Sequence, residues 1–132
     1  MAELSKFLKI VLIINLIAAL FYGIMYLFLT NLWATLIDPS DFDLHLWRLF
    51  GGTCISLGIF GVVGLIRNEW THLKILFETT ILWLIVVDIL NIISLIQIPR
   101  SPTNLVSQVT DVIVIFILII LDIIAYFKEN KG

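Results

Sequence analysis

Cysteine, histidine and charge are what this chain has least of. Its 132 residues include one cysteine, two histidines and three prolines, and only 14% are charged. A lone Cys54 excludes an intrachain disulfide, and its place inside a long apolar run makes it first a small packing residue. His45 and His72 both lie outside the apolar runs, there is no H-E-x-x-H and no Cys/His cluster, so nothing has the spacing of a zinc site. Asp38, Asp41, Asp43 and His45 share one loop without calcium-loop spacing, and a solvated helix start accounts for them. A net charge of −2 argues against a nucleic-acid surface, which leans on basic patches. There is no low-complexity tract and no evident repeat, and the segments between apolar runs are too short for a soluble catalytic domain.

What the chain has in quantity is hydrocarbon. It is 61% hydrophobic, against about 45–50% in soluble domains, and its mean hydropathy is +1.10. Four windows, Phe7–Leu29, Trp47–Ile66, Leu73–Ile98 and Val106–Phe127, meet the roughly 20 apolar residues needed to cross about 30 Å of bilayer. The expected architecture is therefore all-α: a single domain over 1–132, folded as a four-helix transmembrane bundle of up-down topology. With four crossings, Lys6, Lys9, Arg67, Lys74, Lys128 and Lys131 fall on one side and only Arg48 and Arg100 on the other, which predicts that both termini are cytoplasmic. Lys6 and Lys9 before an apolar run also resemble a secretory signal, but the run exceeds the usual length of about 7–15 residues and no A-x-A site closes it.

Carboxylates stand where hydrocarbon is expected. The last two spans carry Glu78, Asp88, Asp111 and Asp122. In an antiparallel hairpin, residues of equal depth have positions adding to a constant; Glu78 and Asp122 give 200, Asp88 and Asp111 give 199. Burying a carboxylate in a bilayer costs at least about 2.5 kcal/mol on insertion scales, so such residues face a bundle interior, a partner or a wet cavity. Glu78 and Asp122 lie about one turn inside the boundary and form a secondary polar pair within reach of headgroups, Lys74 or Lys128. Asp88 lies about 20 Å beyond that boundary and must be protonated, paired or wetted. The expected ligand- or proton-binding site is Asp88 and Asp111 with Asn91 one turn on, and Tyr22 and Arg48 as neighbours. An inward Arg48 would pair with an aspartate; an outward one would leave the two acids sharing a proton.

The first two spans supply the packing faces. Asn15, Ala19, Tyr22 and Tyr26 lie within an arc of about 60° on the first helix and form its inward face. The plain reading of Asn15 and Tyr22 is interhelical hydrogen bonding. Gly51, Cys54, Gly58 and Gly61 make a narrow stripe on the second helix, suited to close approach of another helix or of a second copy. Asp38-Pro39 reads as the N-cap and first residue of that helix, and Ser101-Pro102 as the start of the fourth.

Phe21-Tyr22-Gly23 in the first span and Arg48-Leu49-Phe50-Gly51 opening a glycine-rich second span resemble the small DoxX-like four-helix membrane proteins of prokaryotes. The resemblance implies a four-helix bundle with a membrane accessory role; it carries over no catalytic residue and does not include Asp88 or Asp111. The first span lacks the embedded glutamate by which small multidrug transporters resemble one another. A non-catalytic accessory or ligand-binding protein without cofactor is expected, with a proton- or cation-coupled transporter as the alternative and a lipid-modifying enzyme least supported. The partners to expect are the bilayer, a lipid, amine or cation ligand, and a larger membrane complex or a homodimer.

Overall fold

The computed structural model describes residues 3–40 and 42–131, and every regular element among them is helical. The elements are α1 (Lys6–Leu27), α2 (Thr30–Ile37), α3 (Leu44–Arg67), α4 (Trp70–Gln97) and α5 (Pro102–Lys131). Four of them, α1, α3, α4 and α5, are long and apolar enough to cross a membrane. Their outward faces carry Ile17, Phe21, Ile59, Phe60, Leu90, Phe116 and Ile117, each between 48% and 64% exposed. Water would penalise so large an apolar surface, whereas lipid requires it. The chain is accordingly a multi-pass membrane protein.

Helices α3 and α5 overrun their apolar windows at both ends, and α1 and α4 at the N-terminal end, because their caps lie in the polar flanks. Ser5 caps α1 by accepting the Leu8 N–H at 3.2 Å, and Ser101 does the same for the Asn104 N–H at 3.2 Å, with Pro102 as the first residue of α5 as its fixed φ favours. The expected start of α3 is corrected. Asp38 is not its N-cap but the left-handed residue ending α2, φ 48°, and its N–H bonds the Ala34 carbonyl at 3.0 Å. Proline at 39 disfavours helical geometry at residue 38, and aspartate tolerates the left-handed region. Asp43 caps α3 instead, accepting the Leu46 N–H at 3.0 Å; Asp41 lies outside the described residues.

A fifth helix, α2, occupies the connection expected to be a loop. Eight residues rise only about 12 Å, too short to span. Its join to α1 is closed locally, as the Thr30 hydroxyl donates to the Tyr26 carbonyl at 2.7 Å and the Leu29 N–H to Ile24 at 3.1 Å. Thr30 and Ile37 point inward while Leu32 and Leu36 are more than half exposed.

Glycine decides the first packing partner. A Cβ on Gly51 would stand 2.5 Å from the Leu27 backbone nitrogen, one on Gly23 would meet Ile55, and one on Gly58 would meet Leu20 at 3.1 Å. The paired positions add to 78 in every case, so α1 and α3 lie antiparallel at backbone contact. The stripe is thus used within the chain, as is Cys54, 4% exposed beside it. Gly61, with nothing nearer than Leu16 at 4.0 Å, has room around it.

The second pair is α4 with α5; the two pairs meet mainly through α1 and α5, and α3 barely touches α4. One apolar core, Leu4, Leu8, Val11, Leu12, Leu73, Phe77 and Ala125, fills the end of the bundle where the termini lie. Another, Leu84, Ile115, Leu118 and Ile119, joins α4 to α5. The end bearing α2 is packed otherwise.

Candidate functional site: a lined cavity between the helix pairs

Loose contact between the pairs leaves a cavity of about 310 Å³. It runs along α1 from Leu12 to Tyr26, roughly 20 Å by helical rise, and is roofed at the α2 end by Ile37 and Pro39. One wall is aromatic. The Tyr26 ring lies 4.9 Å from Trp47 and 5.0 Å from Phe50, and Phe50 stacks on Trp83 of α4 at 6.0 Å with 17° between planes. These contacts bridge α3 to α4, whose backbone packing is sparse.

The rest of the lining includes polar side chains arranged in levels. Tyr22 donates its hydroxyl to Asp111 Oδ1 at 2.7 Å, joining α1 to α5. Gln108 Nε2 donates to Asn91 Oδ1 at 3.1 Å, joining α5 to α4. Nearest α2, the Arg100 guanidinium donates to Ser94 Oγ and to Asn104 Oδ1. Asn104 is 2% exposed and is held from behind, its Nδ2 donating to the Ile37 carbonyl at 3.0 Å. At the other end Asn15 and Thr80 reach the lining. Asn15 also donates to Asp122 Oδ1 at 2.6 Å, although Asp122 itself is fully buried away from the cavity.

Three of the five expected site residues, Asp111, Asn91 and Tyr22, meet in this cavity. Asp88 and Arg48 do not line it. Asp88 is 4% exposed with Oδ1 lacking any hydrogen-bond partner. The register pairing Asn91 with Gln108 does bring Asp88 level with Asp111, but level is not facing: Asp111 bonds Tyr22 instead. Arg48 is exposed and makes no bond among the described residues. The expected Glu78–Asp122 pair is likewise divided, since the Tyr126 hydroxyl donates to exposed Glu78 at 2.5 Å while Asp122 takes Asn15.

Sequence reasoning missed Arg100, Ser94, Asn104 and Gln108. Arg100 entered only the tally of charges on each side of the membrane. The available signal was its place in a Pro-flanked turn with Asn104 four residues on, a spacing that brings side chains together once α5 begins. Among the described residues no three of His, Cys, Asp and Glu gather as a metal site. No protein-family model matches the chain, and the comparisons with curated proteins and solved structures found no match.

Proposed function

We propose that this is a small, non-catalytic membrane protein of accessory or ligand-binding type, which holds an amphipathic ligand in the cavity between its two helix pairs. One observation carries the reading: a single cavity is lined both by the aromatic side chains of Tyr26, Trp47, Phe50 and Trp83 and by the polar ones of Asp111, Asn91, Gln108 and Arg100. Small-molecule sites have this character, mostly apolar with a few placed polar groups, and about 300 Å³ is the lower end of their volume range. Gly61→Leu tests it. The glycine lines the cavity with only Leu16 nearby, so the side chain fills the space while leaving α1–α3 packing intact. Saturable binding of a fluorescent amphiphile should be lost without loss of thermal stability; unchanged binding would sink the cavity reading.

The proposed setting is an up-down bundle with both termini cytoplasmic, supported by the basic count and by Lys128, whose ammonium lies 4.4 Å from the Phe7 ring at that end. Tags on each terminus and protease access in sealed vesicles check it, and an external terminus would overturn it. Kinship with the DoxX-like group stays a proposal resting on the two short patterns named above. With the glycine stripe engaged inside the chain, docking to a larger membrane complex has more support than a glycine-mediated homodimer.

A proton- or cation-coupled transporter is the second reading. It is favoured by Asp111, a carboxylate on the cavity wall in a membrane-spanning helix. Gradient-driven uptake into liposomes that disappears with Asp111→Asn would favour this reading over the first.

A further inference from the structure

Among the described residues, the α2 end of the cavity holds a cation without a paired anion. Arg100 lies in the turn between α4 and α5 and lines the cavity, yet its two resolved partners, Ser94 Oγ and Asn104 Oδ1, are neutral. Its Nε is buried with no hydrogen-bond partner among the described residues. Among the described residues the ion pair is His72 with Glu69, far away in sequence and on another turn, so no described carboxylate forms a direct ion pair with this guanidinium. Arg100 is half-buried; a charge drawn partly out of water gains from a paired, hydrogen-bonded partner, and a guanidinium has five donors in a planar fork suited to carboxylate or phosphate.

Neighbouring groups have the same polarity. Ser94 accepts from Arg100 and keeps its own hydroxyl proton to donate into the cavity it lines. Helix α5 begins at Pro102 beside this spot, and the positive end of its dipole adds to the field there. Asn104 is held by the Ile37 carbonyl, so its carbonyl oxygen holds the guanidinium in place without neutralising it. On the far side of this cluster the lining becomes aromatic and then aliphatic, from Trp47 and Phe50 to Leu16, Leu12 and Phe77.

We infer that the ligand is a single-chain amphiphile with an anionic headgroup, a carboxylate or a phosphate seated on Arg100 and Ser94 at the α2 end, and its hydrocarbon chain running toward Leu12 and Phe77. This rests on the ligand-binding reading above and adds the headgroup charge and the direction of the bound molecule. The carboxylate of Asp111 is occupied by Tyr22 and lies seven residues beyond Asn104 along α5, about 10 Å deeper, so it leaves the Arg100 end to the anion.

The test uses the full chain in nanodiscs of phosphatidylcholine at mildly alkaline pH. Cis-parinaric acid, a fluorescent long-chain carboxylate, is followed by energy transfer from tryptophan and displaced in turn by palmitate, cetyl alcohol and cetyltrimethylammonium, with empty nanodiscs subtracted. Palmitate should displace it at least about tenfold better than either competitor, the least that a charge-assisted hydrogen bond contributes. Inorganic phosphate should not displace it, since a free anion lacks the chain. Arg100→Gln should remove the preference, so that palmitate and cetyl alcohol displace the probe equally, and Arg100→Lys should keep part of the preference. Equal displacement by palmitate and cetyl alcohol, or a preference for the cationic competitor, would overturn the headgroup assignment and leave the cavity reading standing. No saturable binding of any probe would remove both. Should Arg100→Gln bind nothing through misfolding, Arg100→Lys decides: a retained preference supports the assignment, and a lost preference with cetyl alcohol still bound overturns it.

Discussion

Tyr22 and Asp111, eighty-nine residues apart in the chain, meet through a 2.7 Å hydrogen bond that ties α1 to α5 along the cavity wall. The bond gives a carboxylate in a membrane-spanning helix a donor from another helix, in place of the acidic neighbour expected from its depth. Around it the wall divides into separate polar contacts, each linking a different pair of elements.

Removing that donor should be felt. Tyr22→Phe leaves the aromatic packing in place but strips Asp111 of its partner, and an unsatisfied buried acceptor costs about 1–3 kcal/mol. Asp111→Asn keeps an oxygen able to accept from Tyr22 and should cost less. Thermal unfolding in mild detergent ranks the two, and a neutral Tyr22→Phe would show that the bond contributes nothing.

Two adjacent glycines on α3 should respond in opposite directions. At Gly51 an added Cβ collides with the backbone of Tyr26 and Leu27, at 2.8 and 2.5 Å, which no rotamer change relieves. Gly51→Ala must push α1 and α3 apart and should destabilise by about 1–3 kcal/mol, as overpacking does. At Gly52 a Cβ meets nothing within 4 Å, so alanine there should be neutral or stabilise by up to about 1 kcal/mol through helix propensity. The same mild loss at both positions would mean that the α1–α3 contact is not at backbone distance.

The two arginines of the α2 half should differ as well. Arg48 is exposed and unbonded among the described residues, so Arg48→Met should shift stability by no more than about 0.5 kcal/mol, the usual range for surface changes. A strongly destabilised Arg48→Met would restore the inward salt bridge. Arg100→Met removes the bonds to Ser94 and Asn104 that join the α4–α5 turn to the cavity wall, and should lower the melting temperature measurably in the absence of ligand.

Asp122 offers a further contrast. It is fully buried, takes the Asn15 amide on one oxygen and has no partner on the other. Asp122→Asn preserves the accepting oxygen and removes a carboxyl group whose ionised form nothing neutralises, so it should be tolerated or stabilising. Asp122→Leu should instead strand the Asn15 side chain on its Val11 contact alone and destabilise by about 1 kcal/mol, the net worth of one hydrogen bond. Equal losses in the two variants, read as chemical denaturation midpoints, would mean that the Asn15 bond is not what the site depends on.

Four apolar helices were legible in the sequence because a bilayer imposes length and hydropathy on any segment that crosses it, whatever its neighbours do. The start of α5 at Ser101-Pro102, the close-packing role of Gly51 and Gly58, and the inward face of Asn15, Tyr22 and Tyr26 were legible for a similar reason: each follows from local geometry within one helix. Depth too could be read off, since antiparallel helices of equal rise bring Asp88 level with Asp111. Rotation about the helix axis could not. Whether a residue faces a cavity, a neighbour or lipid depends on which helix packs against which, and α1 chose α3 by glycine contact while α5 offered its acids to α1. That pairing turned Asp111 toward Tyr22, left Asp88 buried outside the cavity and sent Arg48 to the surface. The α2 helix and the inward turn of Arg100 were likewise decided by tertiary structure, because an eight-residue helix and a turn arginine have no periodicity of their own; the bond from Asn104 to Ile37 that anchors the cluster exists only once α2 closes over the end of the bundle.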